Sequence, residues 1–329
     1  MHRLLTALLC ALMGSAPARA WDAGGHEIIA NIAYAHLNAK ARAAVDQLAP
    51  QITRPAHPYD FITLACWMDD IRNDTSLADY GKFKSWHYID IPIGSRDPVP
   101  PFEPGNDNDV HGNAVQALKR ALVVLEGGTD PYVKNQPMAL ALIEHLVGDI
   151  HQPLHCATKY FFSHAELRDD KGGNDEFVDN GPPGDAKFNL HAFWDSAWRV
   201  SFDEATGNVV LDERFHASSW LDPASVRAEA GRIHNEIMYP ANASPTDFSG
   251  WAMESNKIAR DFVYPGITAT DNRKYCRLSS AYVVKAHAYA LTQLSTAGIR
   301  LAALLNATLG AATPPPVPPS YPAGPSATE

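Results

Sequence analysis

The stretch "ALALIEHLVGDIHQPLH", Ala139–His155, decides how the chain is read. Apolar side chains recur at Leu140, Leu142, Ile143, Leu146, Val147 and Ile150, which predicts a largely buried helix over 137–150. Into that run the sequence sets Glu144, His145, Asp149, His151 and His155. Burying such groups without partners is costly, so they need something to face. His145 and Asp149 stand four residues apart and share one helix face. Pro153 disfavours helix at Gln152, and the resulting turn can bring His155 back to the end of the same helix.

A second stretch, "NLHAFWDSAW", repeats the spacing with His191 and Asp195, and Asn189 suits the cap. One His–Asp pair alone reads as a salt bridge on a helix. Two such pairs with a further histidine point to metal, because imidazole nitrogen with carboxylate oxygen is a good zinc set. "WDAGGHEII" adds His26 shortly after Trp21, with Gly24 and Gly25 expected to form a tight turn. A free amine at Trp21, together with its carbonyl, would chelate the same metal as His26. "ACWMDDIR" and "WHYID" contribute Asp69 and His87.

The rest of the pattern is helical. Apolar periodicity predicts helices over 25–48, 58–71, 107–125, 223–237, 248–262 and 279–309. "SWHYIDIPI" alternates and reads as a short extended piece. "RVSFDEATGNVVLDE" reads as a hairpin about Thr206-Gly207-Asn208. No repeat or internal linker divides the chain. The expected fold is therefore one mainly α domain over 21–310 with a few short strands. The proline-rich tail 311–329 has no face to bury and is expected to be disordered or extended.

Residues 1–20 have a basic start, a short apolar run and the small-residue end Ala18-Arg19-Ala20, which predicts a secretory signal peptide cleaved after Ala20. The mature chain is then secreted or periplasmic. No later segment offers the roughly 20 apolar residues of a membrane span, and nothing calls for a stable protein partner. The formal net charge is −10, and loss of Arg3 and Arg19 leaves 25 basic against 37 acidic residues, or −12. That argues against gripping nucleic acid through a basic surface, but a bound cation can dominate the charge of its own site. Cys66, Cys156 and Cys276 remain after cleavage, an odd number that allows one disulfide and one thiol.

Together, "WMDDIR", "WHYID", "HLVGDIHQPLH", "GGN", "NLHAFWD", "WAMES" and "AGIRLAALLN", with Trp21 at the mature terminus and His26, resemble the zinc-dependent nucleases of the S1/P1 type. That family shares its fold with the bacterial zinc phospholipases C. The resemblance runs from Trp21 to about Leu309 and implies a helical domain holding three Zn2+ in one cleft. It implies that Asp69, His87, His145 and Asp149 hold one zinc, and that His155, His191 and Asp195 hold a second. Trp21 and His26 would hold the third, with Asp149 bridging it to the first.

The resemblance further implies that Asp69 and Arg72 serve catalysis, with Arg72 stabilising the pentacovalent phosphorus. Tyr88 and Asp90 would stack on and bond to a base, and Gly172, Gly173 and Asn174 would form the opposite wall. The implied activity is cleavage of single-stranded DNA and RNA to 5′-phosphorylated products, with 3′-nucleotidase activity. His151 is not a ligand in the family pattern, so either a structural role or one orienting a ligand carboxylate is expected. The segment 156–171 is longer than in fungal members and is expected to form a rim loop. Cys66 and Cys156, each close to a ligand in sequence, are expected to approach each other. A zinc phospholipase C is the alternative, although that group has Glu where this chain has Asp195 and lacks the Tyr88–Asp90 clamp. A secreted zinc-binding protein without turnover is a further alternative, against which Arg72 counts.

Overall fold

A computed structural model describes residues 21–53, 58–72, 80–94, 112–163, 166–212, 214, 223–236, 244–269 and 275–310. The signal-peptide and tail assignments, 1–20 and 311–329, lie outside the described residues. Helix α7 (Gln136–Asp149) is the centre of the fold. It is buried along almost its whole length, as expected of a helix that other elements enclose. Asn135 caps it through the Met138 amide.

Helices α1 (Ala23–His36), α6 (Ala114–Leu125) and α11 (Ser280–Thr308) pack around α7, and α1 also lies along α11. Asn113 and Gln116 close a capping box at the start of α6. Ser279 caps α11.

The segment 25–48, expected as one helix, is two. α1 ends at His36 and α2 (Ala39–Leu48) restarts after Leu37 turns extended, with Asn38 as the new cap. The 58–71 segment likewise divides into α3 (Phe61–Leu64), capped by Asp60, and α4 (Trp67–Asp70). Helix α5 (Tyr80–Trp86) comes next. Helix α8 (Leu190–Asp195) starts from Asn189 as the sequence suggests. α9 (Pro223–Glu236) and α10 (Phe248–Ile258) also match their expected positions, and α10 continues through a π-turn at Ala259–Val263.

Strands are short. β1 (Pro92–Gly94) pairs in parallel with β2 (Thr158–Ser163), which pairs antiparallel with β3 (Glu166–Asp169). The segment 156–171 is thus a β-hairpin docked on β1 rather than a loop. β4 (Phe177–Val178), β7 (Thr268–Ala269) and β8 (Tyr275–Arg277) form a second small sheet in the order β4-β8-β7. The expected hairpin is present as β5 (Val200–Asp203) and β6 (Asn208–Leu211). Cys66, Cys156 and Cys276 are buried free thiols, and Cys66 and Cys156 do not pair: one faces the Ala23 carbonyl, the other the Ile150 carbonyl. No described helix is long and apolar enough to cross a membrane.

Beside α8, aromatic rings pack in a cluster. Tyr282 stacks on Phe262 with ring centroids 5.0 Å apart. Its hydroxyl accepts the Trp194 Nε1–H at 3.0 Å and donates to the Val263 carbonyl at 3.3 Å. Tyr282→Phe keeps the ring and strands both buried partners. It should lower unfolding free energy by about 1–3 kcal/mol, read as a lower urea midpoint with unchanged slope.

Candidate metal centre

The C-terminal turns of α7 present His145 and Asp149 on one side, and both are fully buried. After α7 the chain turns through a 3₁₀ segment at Pro153–Cys156, which returns His155 to the same region. α10 and α11 hold that turn. Ser255 Oγ donates to the Ile150 carbonyl at 2.6 Å, Gln293 Nε2 to the His151 carbonyl at 2.8 Å, and Asn256 Nδ2 to the Cys156 carbonyl at 2.9 Å. Of its two expected roles, His151 takes the structural one and does not orient a ligand carboxylate. Its Nδ1 donates to the Val147 carbonyl, and its Nε2 accepts from Arg300, which pairs with Glu254. Burial and the Arg300 charge lower its pKa to about 3, so it is a neutral link between α7 and α11.

Three clusters of ligating atoms gather here, each within 4.8 Å: His26, His145 and Asp149; Asp69, His87 and His145; and His155, His191 and Asp195. The two expected His–Asp pairs are therefore brought together with Asp69, His87 and His26. Asp149 contacts three imidazoles, at 3.1 Å from His87 Nδ1 and 3.3 Å from both His145 Nε2 and His26 Nε2. His26 stacks on His145 with ring centroids 4.0 Å apart, so His145 belongs to two clusters. The sequence reading gave it only one.

Hydrogen bonds fix the tautomers. His145 Nδ1 lies 2.7 Å from the Ala65 carbonyl, His155 Nδ1 2.6 Å from the His87 carbonyl, and His191 Nδ1 2.7 Å from the Gly172 carbonyl. A carbonyl only accepts, so each Nδ1 carries a proton, and wherever the ring is neutral its Nε2 keeps the lone pair. The Nε2 atoms of His155 and His191 then face each other at 3.0 Å. Burial lowers the pKa of His155 to about 4 and of His191 to about 3, so both rings are neutral near pH 7. Two facing lone pairs repel unless a cation lies between them.

Asp195 completes this cluster, its Oδ1 3.9 Å from His155 and 3.7 Å from His191, and Gln152 Nε2 donates to the same oxygen at 2.6 Å. Burial pushes the Asp195 carboxyl well above its usual range, a cost that a bound cation would reverse. In the other clusters, both nitrogens of His26, Nε2 of His87, Oδ1 of Asp69 and Oδ1 of Asp149 are buried without a hydrogen-bond partner. Burial opposes a charge on His145, but Asp149, Asp69 and the Ala65 carbonyl together raise it to about 9. The donor set and its unpaired atoms fit metal ions.

Trp21 is fully buried and its indole donates to the Gly148 carbonyl at 3.0 Å. Gly24 and Gly25 make no turn; they lie in the first turn of α1, capped by Asp22. Gly25 is needed for close packing, since a Cβ there would lie 2.7 Å from the Trp21 Cβ.

The pocket beside these clusters is lined by Arg72, His87, Tyr88, Asp90, His155, Gly172, Asn174 and His191. Burial alternates along His87–Asp90, which turns Tyr88 and Asp90 outward beside a buried ligand. Gly172 and Gly173 have φ of +62° and +84°, the left-handed region that glycine adopts without strain. Gly173 lies behind the wall, against Leu154 and the His191 amide, rather than on its surface. Asp169 and Lys171 also line the pocket. Their position just before "GGN" was the available sequence signal, and the reading of 156–171 as a loop concealed it.

The Asn256 bond to the Cys156 carbonyl tests how far α10 shapes the site. Asn256→Ala should lower unfolding free energy by about 1–3 kcal/mol in urea titrations and weaken metal retention, since the freed carbonyl follows His155.

Residues 21–310 match the family model described as S1/P1 Nuclease. Endonuclease 2 of Arabidopsis thaliana is 27% identical over 327 residues, covering 94% of this chain and 98% of that protein. Nuclease S1 of Aspergillus oryzae is 26% identical over 325 residues, covering 93% and 98%. Endonuclease 1 of Arabidopsis thaliana is 27% identical over 306 residues, covering 88% and 87%. With its ligand clusters and the whole helical domain inside the matched region, the chain belongs to the S1/P1 nuclease family and is a hydrolase of phosphodiester bonds.

Proposed function

We propose that this chain is an exported, zinc-dependent endonuclease of single-stranded DNA and RNA, with 3′-nucleotidase activity, that leaves 5′-phosphorylated products. The observation that carries the metal reading is that the Nε2 atoms of His155 and His191 face each other at 3.0 Å while both Nδ1 atoms are bonded to backbone carbonyls. Asp69, His87, His145 and Asp149 would hold one zinc. His155, His191 and Asp195 would hold a second. Trp21, through its amine and carbonyl, and His26 would hold the third together with Asp149. The pattern of residues 1–20 supports export and cleavage after Ala20, which would free that amine; its pKa near 8 lets zinc displace its proton at little cost.

Bound zinc would supply a lowered water pKa near neutral pH and neutralisation of charge on the phosphate. The remaining steps belong to the side chains. Arg72 lines the pocket and offers a planar fork of donors to the non-bridging phosphate oxygens. Tyr88 is 39% exposed at the pocket edge, where its ring would stack on a base. A base inside a duplex has no free face, so stacking favours unpaired strands. Asp90 would accept a hydrogen bond from a ring or exocyclic N–H of that base. Asn174 and the Gly172 backbone would bound the far side of the nucleotide.

Metal analysis of the purified chain beginning at Trp21, with turnover on single-stranded DNA, RNA, duplex DNA and phosphatidylcholine, tests this reading. About three zinc per chain and preference for single strands are expected, with loss of activity in chelator and recovery on adding zinc. A consistent value of one zinc or none would refute the cluster. Turnover of phosphatidylcholine alone would favour the phospholipase reading.

The base clamp has its own test. Tyr88→Ala should weaken binding of a single-stranded substrate by about 1–3 kcal/mol. Asp90→Ala should raise KM and alter base preference with metal content unchanged. Wild-type kinetics in both variants would mean that the base binds elsewhere.

A further inference from the structure

Asp22 stands between two of the proposed ligands and does more than cap a helix. A cap needs one side-chain acceptor, which Ser or Asn also supplies. Here both carboxylate oxygens are engaged and buried. Oδ1 accepts the Gly25 amide at 3.1 Å and the Trp198 indole Nε1–H at 2.7 Å. Oδ2 accepts Arg199 Nε at 2.5 Å. The Asp22 and Arg199 side chains are only 8% and 6% exposed.

The backbone of Asp22 is engaged as well. Its amide donates to the Asp195 carbonyl at 3.0 Å, and its carbonyl accepts the His26 amide at 3.2 Å. One residue earlier, the Trp21 indole donates to the Gly148 carbonyl, next to Asp149. One residue after Asp195, Ser196 begins the turn that leads to Trp198 and Arg199. Arg199 is itself tied to the β5–β6 hairpin, because its carbonyl accepts the Asp212 amide at 2.8 Å.

We propose that Asp22 is a positioning residue. Clamped by Trp198 and Arg199, it fixes the Trp21 backbone beside His26 and, through the Asp195 carbonyl, couples that group to the His155–His191–Asp195 cluster. The carboxylate touches neither substrate nor metal in this role. Instead it fixes where the chain end lies, and that geometry is what a backbone ligand requires. A short flexible terminus held by nothing else would lose conformational entropy on every binding event. The buried ion pair removes that cost in advance. The proposal rests on the zinc reading given above.

The experiment compares wild type, Asp22→Asn and the double variant Asp22→Asn/Arg199→Gln, each beginning at Trp21. The readouts are zinc per chain, release of each zinc to a competing chelator, and melting temperature without metal. Asp22→Asn removes the buried ion-pair partner of Arg199, so its melting temperature should fall. The double variant removes that charge and should regain stability. In both variants one zinc of the three should be held about 10–100-fold more weakly, as for other partners that orient metal ligands, with the other two retained.

If both variants keep all three zinc ions with wild-type release, Asp22 positions nothing and the proposal fails. If the single variant loses zinc but the double variant regains all three, the residue acts only by charge balance, which also overturns it. If wild type itself holds no zinc, the zinc reading fails first, an outcome distinct from either.

Discussion

The centre depends on backbone carbonyls that turn imidazoles. His145, His155 and His191 each give the Nδ1 proton to a peptide oxygen, at Ala65, His87 and Gly172 respectively. In the neutral ring each such bond leaves the Nε2 lone pair directed inward, the arrangement in which histidine serves as a ligand. The three carbonyls come from the α3–α4 junction, the segment after α5 and the glycine turn after β3. Elements far apart in the chain must therefore be in place before any one ring is oriented. The His87 peptide links two clusters at once, since its side chain faces Asp149 while its carbonyl orients His155.

Such a centre is unfavourable without cations. Several imidazole nitrogens and carboxylate oxygens are buried without hydrogen-bond partners, and unsatisfied buried polar groups cost stability. The surrounding helices carry that cost. α7 contributes a continuous apolar surface on the sides away from the ligands, and α1, α6 and α11 cover it. Ser255, Asn256 and Gln293 then hold the turn after α7 by bonds to its carbonyls. The apolar core and the polar centre are two faces of one helix, so a change in α10 or α11 reaches the ligands through that turn.

Charge follows the same division. The chain is acidic overall, and its buried cations are committed to structure: Arg199 to Asp22, and Arg300 to His151 and Glu254. The pocket keeps Arg72 and Lys171. On the function proposed above, attraction for a phosphodiester would come from the centre and its pocket, which would suit a substrate held at one phosphate with one base against Tyr88.

Much of this was legible in the sequence because the signals are local. The i, i+4 pairs His145/Asp149 and His191/Asp195 share helix faces by geometry alone, Asn189 caps α8 through its own side chain, and the β5–β6 hairpin follows from two apolar runs about a turn. Tertiary structure decided what depends on distant neighbours. Gly24 and Gly25 read as a turn, yet Asp22 starts a helix through them because Trp198 and Arg199, some 180 positions away, hold its carboxylate. The 156–171 segment read as a loop, yet β1 offers an edge on which it pairs. His151 reads either as a ligand's partner or as a structural residue, and Arg300 on α11 decides for the second by bonding its Nε2. Local spacing determines which residues share a face; only packing between distant segments determines what that face meets.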